Sequence, residues 1–241
     1  MKKSLLFSVC LSLLSWTLSA QDIFDVVKSG DLQQVKRMVG EDPSLVRALD
    51  ETRRTPLHWA CRGVYPDMVL FLLESGADAD AQDANQICPM HSTASRGNAE
   101  ATRILLEHGA DPNIPDYEEH IPLHYAAMNG HEQVVELLID GGSNIEALNN
   151  RQRTPLILAA REHGGIEVIQ VLIEKGANIA ARDKYDDDAL NLSAWRGYED
   201  IVEYLLEQGA QPDIGGEQGE WMMIYATENA LEKLFERLLG D

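Results

Sequence analysis

Histidine recurs in this 241-residue sequence at His58, His91 and His124, with a spacing of 33 residues. Imidazole is a common zinc ligand, but a zinc site needs three or four ligands that converge on one ion. A spacing this long and regular instead predicts a ladder with one imidazole in each structural unit. The next two units have Ile157 and Asn191 in that place. We therefore predict a structural role for the histidines and no metal site.

Four aspartates crowd one short segment, at Asp183, Asp186, Asp187 and Asp188, and such a group could attract calcium. They lack the ligand spacing of an EF-hand loop and the glutamate at its twelfth position. The sequence therefore favours a solvated acidic turn over a calcium site. No cofactor is expected anywhere in the chain.

The histidines belong to a longer block that recurs every 33 residues. It begins as Thr55-Pro56-Leu57-His58 and returns at positions 88, 121 and 154. A second marker, Gly76-Ala77-Asp78, returns in step with it at 109, 142, 176 and 209. Self-similarity at this period predicts a stack of supersecondary units. Such a stack offers a long surface and rarely a catalytic cleft.

This block resembles the ankyrin repeat, most clearly over residues 121–147. Pro122 stands in the first helical turn, where its missing N–H costs nothing, and Gly130 separates two helices. Gly142 suits a left-handed cap after the second helix. The resemblance implies an all-α fold, an ankyrin-repeat solenoid of about seven helix-turn-helix repeats with hairpin loops. It also implies that the recurring histidine is a hydrogen-bonding strut between adjacent turns.

The repeat phase extends over nearly the whole chain, with starts at 21, 55, 88, 121, 154, 188 and 221. We predict an ankyrin repeat domain over 21–241. It consists of an amino-terminal capping repeat at 21–54, five internal repeats at 55–220 and a carboxy-terminal capping repeat at 221–241. These repeats leave no room for an enzyme domain, so we expect no catalysis. Cys61 and Cys88 fall in helices of neighbouring repeats, too far apart for a disulfide, and we expect both thiols to be packed rather than reactive.

Residues 1–20 lie outside the repeat phase and have the features of a cleavable signal peptide. Lys2 and Lys3 precede a mostly apolar run, and the segment ends on the small residue Ala20. The run is too short to span a bilayer, and Gln21 stands where a lipoprotein has its lipidated cysteine. We expect export to the periplasm or outside the cell, as for ankyrin proteins exported by bacteria, with no membrane insertion after cleavage.

The chain is strongly acidic. It has 20 lysines and arginines against 40 aspartates and glutamates, a formal net charge of −20, which becomes −22 when Lys2 and Lys3 leave with the leader. This charge disfavours nucleic acids and anionic membrane surfaces as partners. The resemblance implies instead that the protein, as a monomer, binds another protein.

Ankyrin stacks bind partners through a concave groove, at the seventh and eighth positions after each repeat start, and through the hairpin-loop tips. Arginine is frequent at both places here, which predicts a partner with an acidic surface. Arginine, tryptophan and tyrosine also contribute much of the energy of many interfaces. Alternatively, the arginines pair with nearby acids and add solubility rather than affinity. The candidate groove residues are Arg62, Arg96, Met128, Asn129, Arg161, Trp195 and Arg196, and the candidate loop-tip residues are Arg53, Arg54, Tyr117, Arg151, Arg153 and Tyr185.

Two roles remain open for such a surface. The first is an exported scaffold or accessory chaperone that binds an exported enzyme or an envelope protein. The second is a secreted effector or toxin-neutralising immunity protein that acts by tight occlusion. Both use the same groove, so the sequence does not separate them.

Overall fold

The computed structural model describes residues 20–162, 164–212, 224–227 and 234. These residues are helical with no strand, which confirms the predicted all-α class and the helical repeat solenoid. The predicted signal peptide lies outside the described residues except for Ala20, as does most of the predicted carboxy-terminal cap. The α-helices whose two ends are described are α1 (Ala20–Ser29), α2 (Leu32–Glu41), α3 (Pro56–Arg62), α4 (Pro66–Glu74), α5 (Pro89–Arg96), α6 (Ala99–Glu107), α7 (Pro122–Met128), α8 (Glu132–Asp140), α9 (Pro155–Glu162), α10 (Ile166–Glu174), α11 (Ala189–Arg196) and α12 (Glu199–Glu207), and a 3-10 helix spans Pro43–Arg47.

The first helices α3, α5 and α7 each start where an extended residue precedes a proline. Thr55 has φ −86° and ψ 166°, and Pro56 is the first residue of α3. The backbone N–H of Thr55 donates to His58 Nδ1 at 3.1 Å. This bond satisfies a donor that the start of a helix otherwise leaves unpaired. The same bond recurs, also at 3.1 Å, from Cys88 to His91 and from Ile121 to His124.

The helices stack in two parallel rows. The first helices follow one another as α1, α3, α5, α7, α9 and α11, and the second helices as α2, α4, α6, α8, α10 and α12. One leucine occupies the same position in each of α4, α6, α8, α10 and α12, and burial of each contributes about 1.5–3 kcal/mol. Each repeat therefore depends on its neighbours for its core. These leucines, each 0% exposed, are Leu72, Leu105, Leu138, Leu172 and Leu205.

Hairpin turns connect the repeats and also join one another. At the first, the backbone N–H of Asp50 donates to Arg54 O at 3.0 Å. The Asp50 carboxylate accepts the N–H groups of Thr52 and Arg54 at 2.8 and 2.9 Å, so a single side chain closes the turn. The next hairpin attaches through the N–H of Ala84, which donates to Thr52 O at 3.0 Å. Equivalent turns begin at Asp83, Asp116, Asn149 and Asp183.

The spacing of the repeats increases by one residue at the pair Gly164 and Gly165. Gly165 has φ +87°, in the left-handed region that glycine adopts readily. A Cβ on Gly164 would lie 2.1 Å from the carbonyl oxygen of Ala127. The extra residue is therefore packed against the end of α7. No helix among the described residues is both long and apolar enough to cross a membrane.

Candidate protein-binding surface

The recurring histidines connect adjacent repeats. His58 Nε2 bonds the carbonyl oxygen of Ile87 at 2.9 Å. Because Nδ1 accepts a backbone N–H, the ring proton lies on Nε2, which donates to that carbonyl. Both ring nitrogens are thus engaged, and this confirms the predicted strut. The next two struts run from His91 to His120 O at 2.9 Å and from His124 to Arg153 O at 3.1 Å.

Burial keeps these imidazoles neutral. It lowers the pKa of His58 and His91, and it lowers the pKa of His124 to about 4, with the nearby His120 acting in the same direction. A protonated ring would also present an N–H to the backbone N–H that Nδ1 now accepts. The histidine ladder is therefore a neutral framework that positions the surface.

The two cysteines of the repeats are free thiols, and both are buried. Burial raises the pKa of Cys88 to about 11, and it raises the pKa of Cys61 further. A thiol with so high a pKa has very little of the reactive thiolate form at neutral pH. This confirms that both cysteines are packed rather than reactive.

Two of the predicted loop-tip arginines pair with an aspartate of the following hairpin. Arg153 Nε lies 2.8 Å from Asp183 Oδ2, and Arg153 is only 5% exposed. This corrects the assignment of Arg153 to the exposed tips, because stacking of the hairpins encloses its guanidinium. Arg54 forms the matching pair with Asp83 at 2.9 Å, but 23% of its side chain stays exposed.

The acidic segment is less solvated than the sequence predicts. Asp183 and Asp188 are 5% and 6% exposed. Asp183 closes its hairpin, whereas Asp188 caps α11 by accepting the N–H of Asn191 at 2.8 Å. The prediction of a solvated turn is wrong for these two residues, because the adjacent repeats cover them. Burial also raises the pKa of Asp188. Exposed Asp186 pairs with Arg182 at 3.0 Å.

The predicted groove residues lie on the first helices, and we use "the groove" for that row. Arg62 and Arg96 end α3 and α5 and are exposed. Neither forms an ion pair within the part of the chain that the structure describes. Arg161, by contrast, is half-buried and pairs with Glu162. The alternative that groove arginines pair with nearby acids therefore holds for Arg161 but not for Arg62 or Arg96. Of the other groove residues, Met128 is half-buried and Asn129, Trp195 and Arg196 are exposed.

A pocket of about 270 Å³ opens between α3, α5 and α7. Three arginines border it, Arg54, Arg62 and Arg96, and its lining has no carboxylate among the described residues. We call it the arginine pocket. It is the most cationic part of the groove on an otherwise acidic chain. The remaining lining residues are Ile87, His91, Ser92, Ser95 and Tyr125.

Three cationic side chains lie close to the Trp59 ring, beside the arginine pocket. Its Nε1 donates to Asp50 Oδ2 at 2.9 Å, which fixes the ring. Lys28 Nζ lies 4.2 Å from the ring centre, and the Cζ atoms of Arg54 and Arg62 each lie 5.5 Å from it. Cations within about 6 Å of an aromatic face are attracted by the ring. One side chain thus helps to hold three positive charges at this end of the groove.

Sequence reasoning missed Trp59, Ser92 and Tyr125. Each stands at the fourth position after a repeat start, whereas the sequence-based search used the seventh and eighth positions. Residues three apart share a face of a helix. The fourth and seventh positions after a repeat start therefore point to the same side of the helix. This three-residue spacing is the sequence signal that would have identified Trp59, Ser92 and Tyr125.

Trp195 and Arg196 occupy the opposite end of the groove. Arg196 Cζ lies 4.6 Å from the Trp195 ring centre, and Trp195 is 47% exposed. At the hairpin tips, Tyr117 and Tyr185 are 78% and 57% exposed. Aromatic area and cations are thus available to solvent at both places, which is typical of protein-binding surfaces. Arg53 and Arg151, also predicted at the tips, are exposed.

Comparison with protein families identifies the repeats. A profile described as Ankyrin repeats (3 copies) matches residues 23–116, 64–149 and 115–183. A single Ankyrin repeat profile matches residues 185–217. The chain therefore belongs to the ankyrin repeat family. Its repeats form a protein–protein interaction module of a kind that is generally not enzymatic.

Several known proteins are similar to this chain over part of their length. A transient receptor potential cation channel subfamily A member 1 homolog of Caenorhabditis elegans is 32% identical over 196 residues, which are 80% of this chain and 16% of that protein. The putative palmitoyltransferase ZDHHC13 of Danio rerio is 31% identical over 215 residues, 87% of this chain and 33% of that protein. The human 26S proteasome non-ATPase regulatory subunit 10 is 34% identical over 61 residues, 25% of this chain and 27% of that protein. The chain thus spans a third or less of each.

Proposed function

We propose that this protein is an exported, non-enzymatic module that holds another protein in its groove, as a scaffold or accessory chaperone. The observation that carries the proposal is the exposed row Arg62, Arg96, Trp195 and Arg196 on the first helices of a chain with a net charge of −20. Arginines that have no carboxylate partner among the described residues concentrate positive potential on one face. An acidic surface on the partner complements that face and is steered towards it.

A binding role, rather than catalysis, agrees with the hydrogen bonds and burial of the side chains that could act as catalysts. The ladder histidines use both ring nitrogens in struts. The two thiols are buried. The hairpin aspartates accept backbone N–H groups, and Asp83 and Asp183 also pair with arginines. Each of these groups is committed to holding the repeats together, and the exposed arginines and aromatic rings remain for recognition.

Export to the periplasm or outside the cell is the second part of the proposal. It rests on residues 1–20, in which a basic start and an apolar run lead to a small residue at the boundary of the first repeat phase. The binding unit is a monomer, because each repeat packs its apolar face on the neighbouring repeat of the same chain.

The decisive experiment is capture of the partner from an envelope extract by the purified protein. Trp195→Ala combined with Arg196→Ala should lower the yield of the captured partner by at least about tenfold, because anchor residues of these types are often worth about 2 kcal/mol or more. Arg103→Ala is the matched control. Arg103 lies on α6, a second helix, and pairs with Glu100 and Glu107 of the same helix.

Wild type and both variants should have the same melting temperature, since the altered residues are exposed. Equal capture by the groove variant and wild type, or loss of capture with Arg103→Ala, would show that recognition uses another face. Mass spectrometry of the captured partner separates the two roles. An envelope protein or exported enzyme supports the scaffold, and a toxin supports the occluding immunity protein.

A further inference from the structure

We propose that the arginine pocket is an anchor site for a carboxylate, supplied by an aspartate or glutamate side chain of an acidic segment on the partner. The inference rests on the proposed binding function and adds to it the chemical group that is recognised and the place where it binds. The pocket lies where α3, α5 and α7 meet, so an extended segment that follows the groove crosses it.

The guanidinium groups around the pocket have free capacity to bind an anion. Within the described part of the chain, Arg62 and Arg96 have no ion-pair partner. The ion pair of Arg54 with Asp83 engages Nε, at 2.9 Å, which leaves its two terminal nitrogens for another acceptor. Guanidinium groups bind carboxylates through two parallel N–H···O bonds, and these are among the stronger hydrogen bonds in proteins.

The other walls of the pocket supply neutral donors and shape. The hydroxyls of Ser92 and Ser95 have no hydrogen bond within the described residues, and both side chains are half-buried. Tyr125 already donates its hydroxyl to Asp116 at 2.6 Å. Its ring packs edge-on against His91, with the ring centres 5.7 Å apart. These two rings form a rigid wall, and the serines can complete the shell around a bound carboxylate.

The adjoining helix ends favour a single carboxylate over a doubly charged ligand. The pocket, of about 270 Å³, has room for the side chain that carries the carboxylate. Arg62 and Arg96 are the last residues of their helices. Phosphate sites use helix amino termini, whereas the partial negative charge of these carboxyl ends opposes a dianion more than a monoanion.

A direct test uses a short fluorescent polyglutamate peptide, with a polyglutamine peptide of the same length as control. Binding to the purified protein is followed by fluorescence anisotropy at fixed ionic strength. Polyglutamate should bind and polyglutamine should not. Arg62→Ala combined with Arg96→Ala should weaken polyglutamate binding by at least about tenfold. Arg62→Lys combined with Arg96→Lys should weaken it less, because lysine keeps the charge but loses the planar fork.

Arg103→Ala removes one positive charge from the second-helix side and should leave polyglutamate binding unchanged. Full binding by the Arg62→Ala, Arg96→Ala protein would overturn the proposal. So would equal binding of polyglutamine, or displacement of the peptide by inorganic phosphate at lower concentration than by free glutamate, which would identify a phosphate site. If partner capture depends on Trp195 but not on Arg62 and Arg96, the anchor is refuted while the proposed function stands.

Discussion

Protonation of His124 should destabilise the fold at mildly acidic pH. His124 is 0% exposed, and burial lowers its pKa from 6.5 to about 4. Between pH 6.5 and pH 4, the His124 imidazole is therefore protonated in the unfolded chain but not in the folded protein. The free energy of unfolding that the neutral His124 contributes is fully present above pH 6.5 and is lost as the pH drops towards 4. The pKa difference predicts a loss of about 2 kcal/mol from this residue between pH 7.5 and pH 5.

The substitution that isolates this effect is His124→Asn, because the repeat that begins at 188 already has Asn191 at the same position. Other groups also titrate in this range. Burial raises the pKa of Asp187 and Asp188, which stabilises the fold as the pH falls. These contributions cancel when wild type and variant are compared at each pH. The difference between their free energies of unfolding should shrink by about 2 kcal/mol from pH 7.5 to pH 5.

Urea unfolding followed by far-ultraviolet circular dichroism measures these free energies. His108→Asn is the control for the substitution itself, because His108 is an exposed histidine at the end of α6 that joins no two repeats. A difference for His124→Asn that is the same at pH 7.5 and pH 5 would refute the reasoning. The ring would then be protonated as readily in the folded protein as in the unfolded chain, and the neutral strut would be wrong.

Two further predictions concern the hairpins and export. Arg153→Ala should cost about 3–5 kcal/mol in urea unfolding, because it leaves the Asp183 carboxylate buried without its cation, whereas Arg151→Ala, at an exposed tip, should cost little. Equal effects of the two changes would contradict the buried pair. Mass measurement of the exported protein should give an amino terminus at Gln21 or within a residue or two, and recovery of the full-length chain solely from the cytoplasm would contradict export.

Much of the fold can be predicted from the sequence because its signals repeat at a constant interval. The starts at 55, 88 and 121 predict helices that the structure begins at Pro56, Pro89 and Pro122. The histidine strut is equally predictable, since it joins positions that differ by a fixed 29 residues: His58 and His91 bond the carbonyl oxygens of Ile87 and His120. Because the interval is regular, each of these repeats independently predicts the same helix start and the same histidine strut.

The two arginines that pair with hairpin aspartates were harder to predict because their position is not regular. Arg54 and Arg153 precede a repeat start, but Ile87 and His120 occupy the equivalent places. Each aspartate partner lies in the following hairpin, 29 residues from Arg54 and 30 from Arg153, and becomes a neighbour through stacking alone. A residue type taken by itself favoured exposure. The partner that buries it is visible only when consecutive hairpins are placed side by side.

The distribution of charge along the groove limits how a partner can bind. At the amino-terminal end, Trp59 and the arginine pocket bring together cations that no carboxylate neutralises apart from the single bond of Arg54 to Asp83 within the described residues. Towards the other end, Arg161 is paired with Glu162, and the exposed Trp195 lies beside the single cation of Arg196. The groove therefore has more positive charge where α3 and α5 lie and more exposed aromatic area where α11 lies. A bound segment satisfies both when its acidic residues face α3 and α5 and its apolar residues face α11, and this fixes the direction in which it lies.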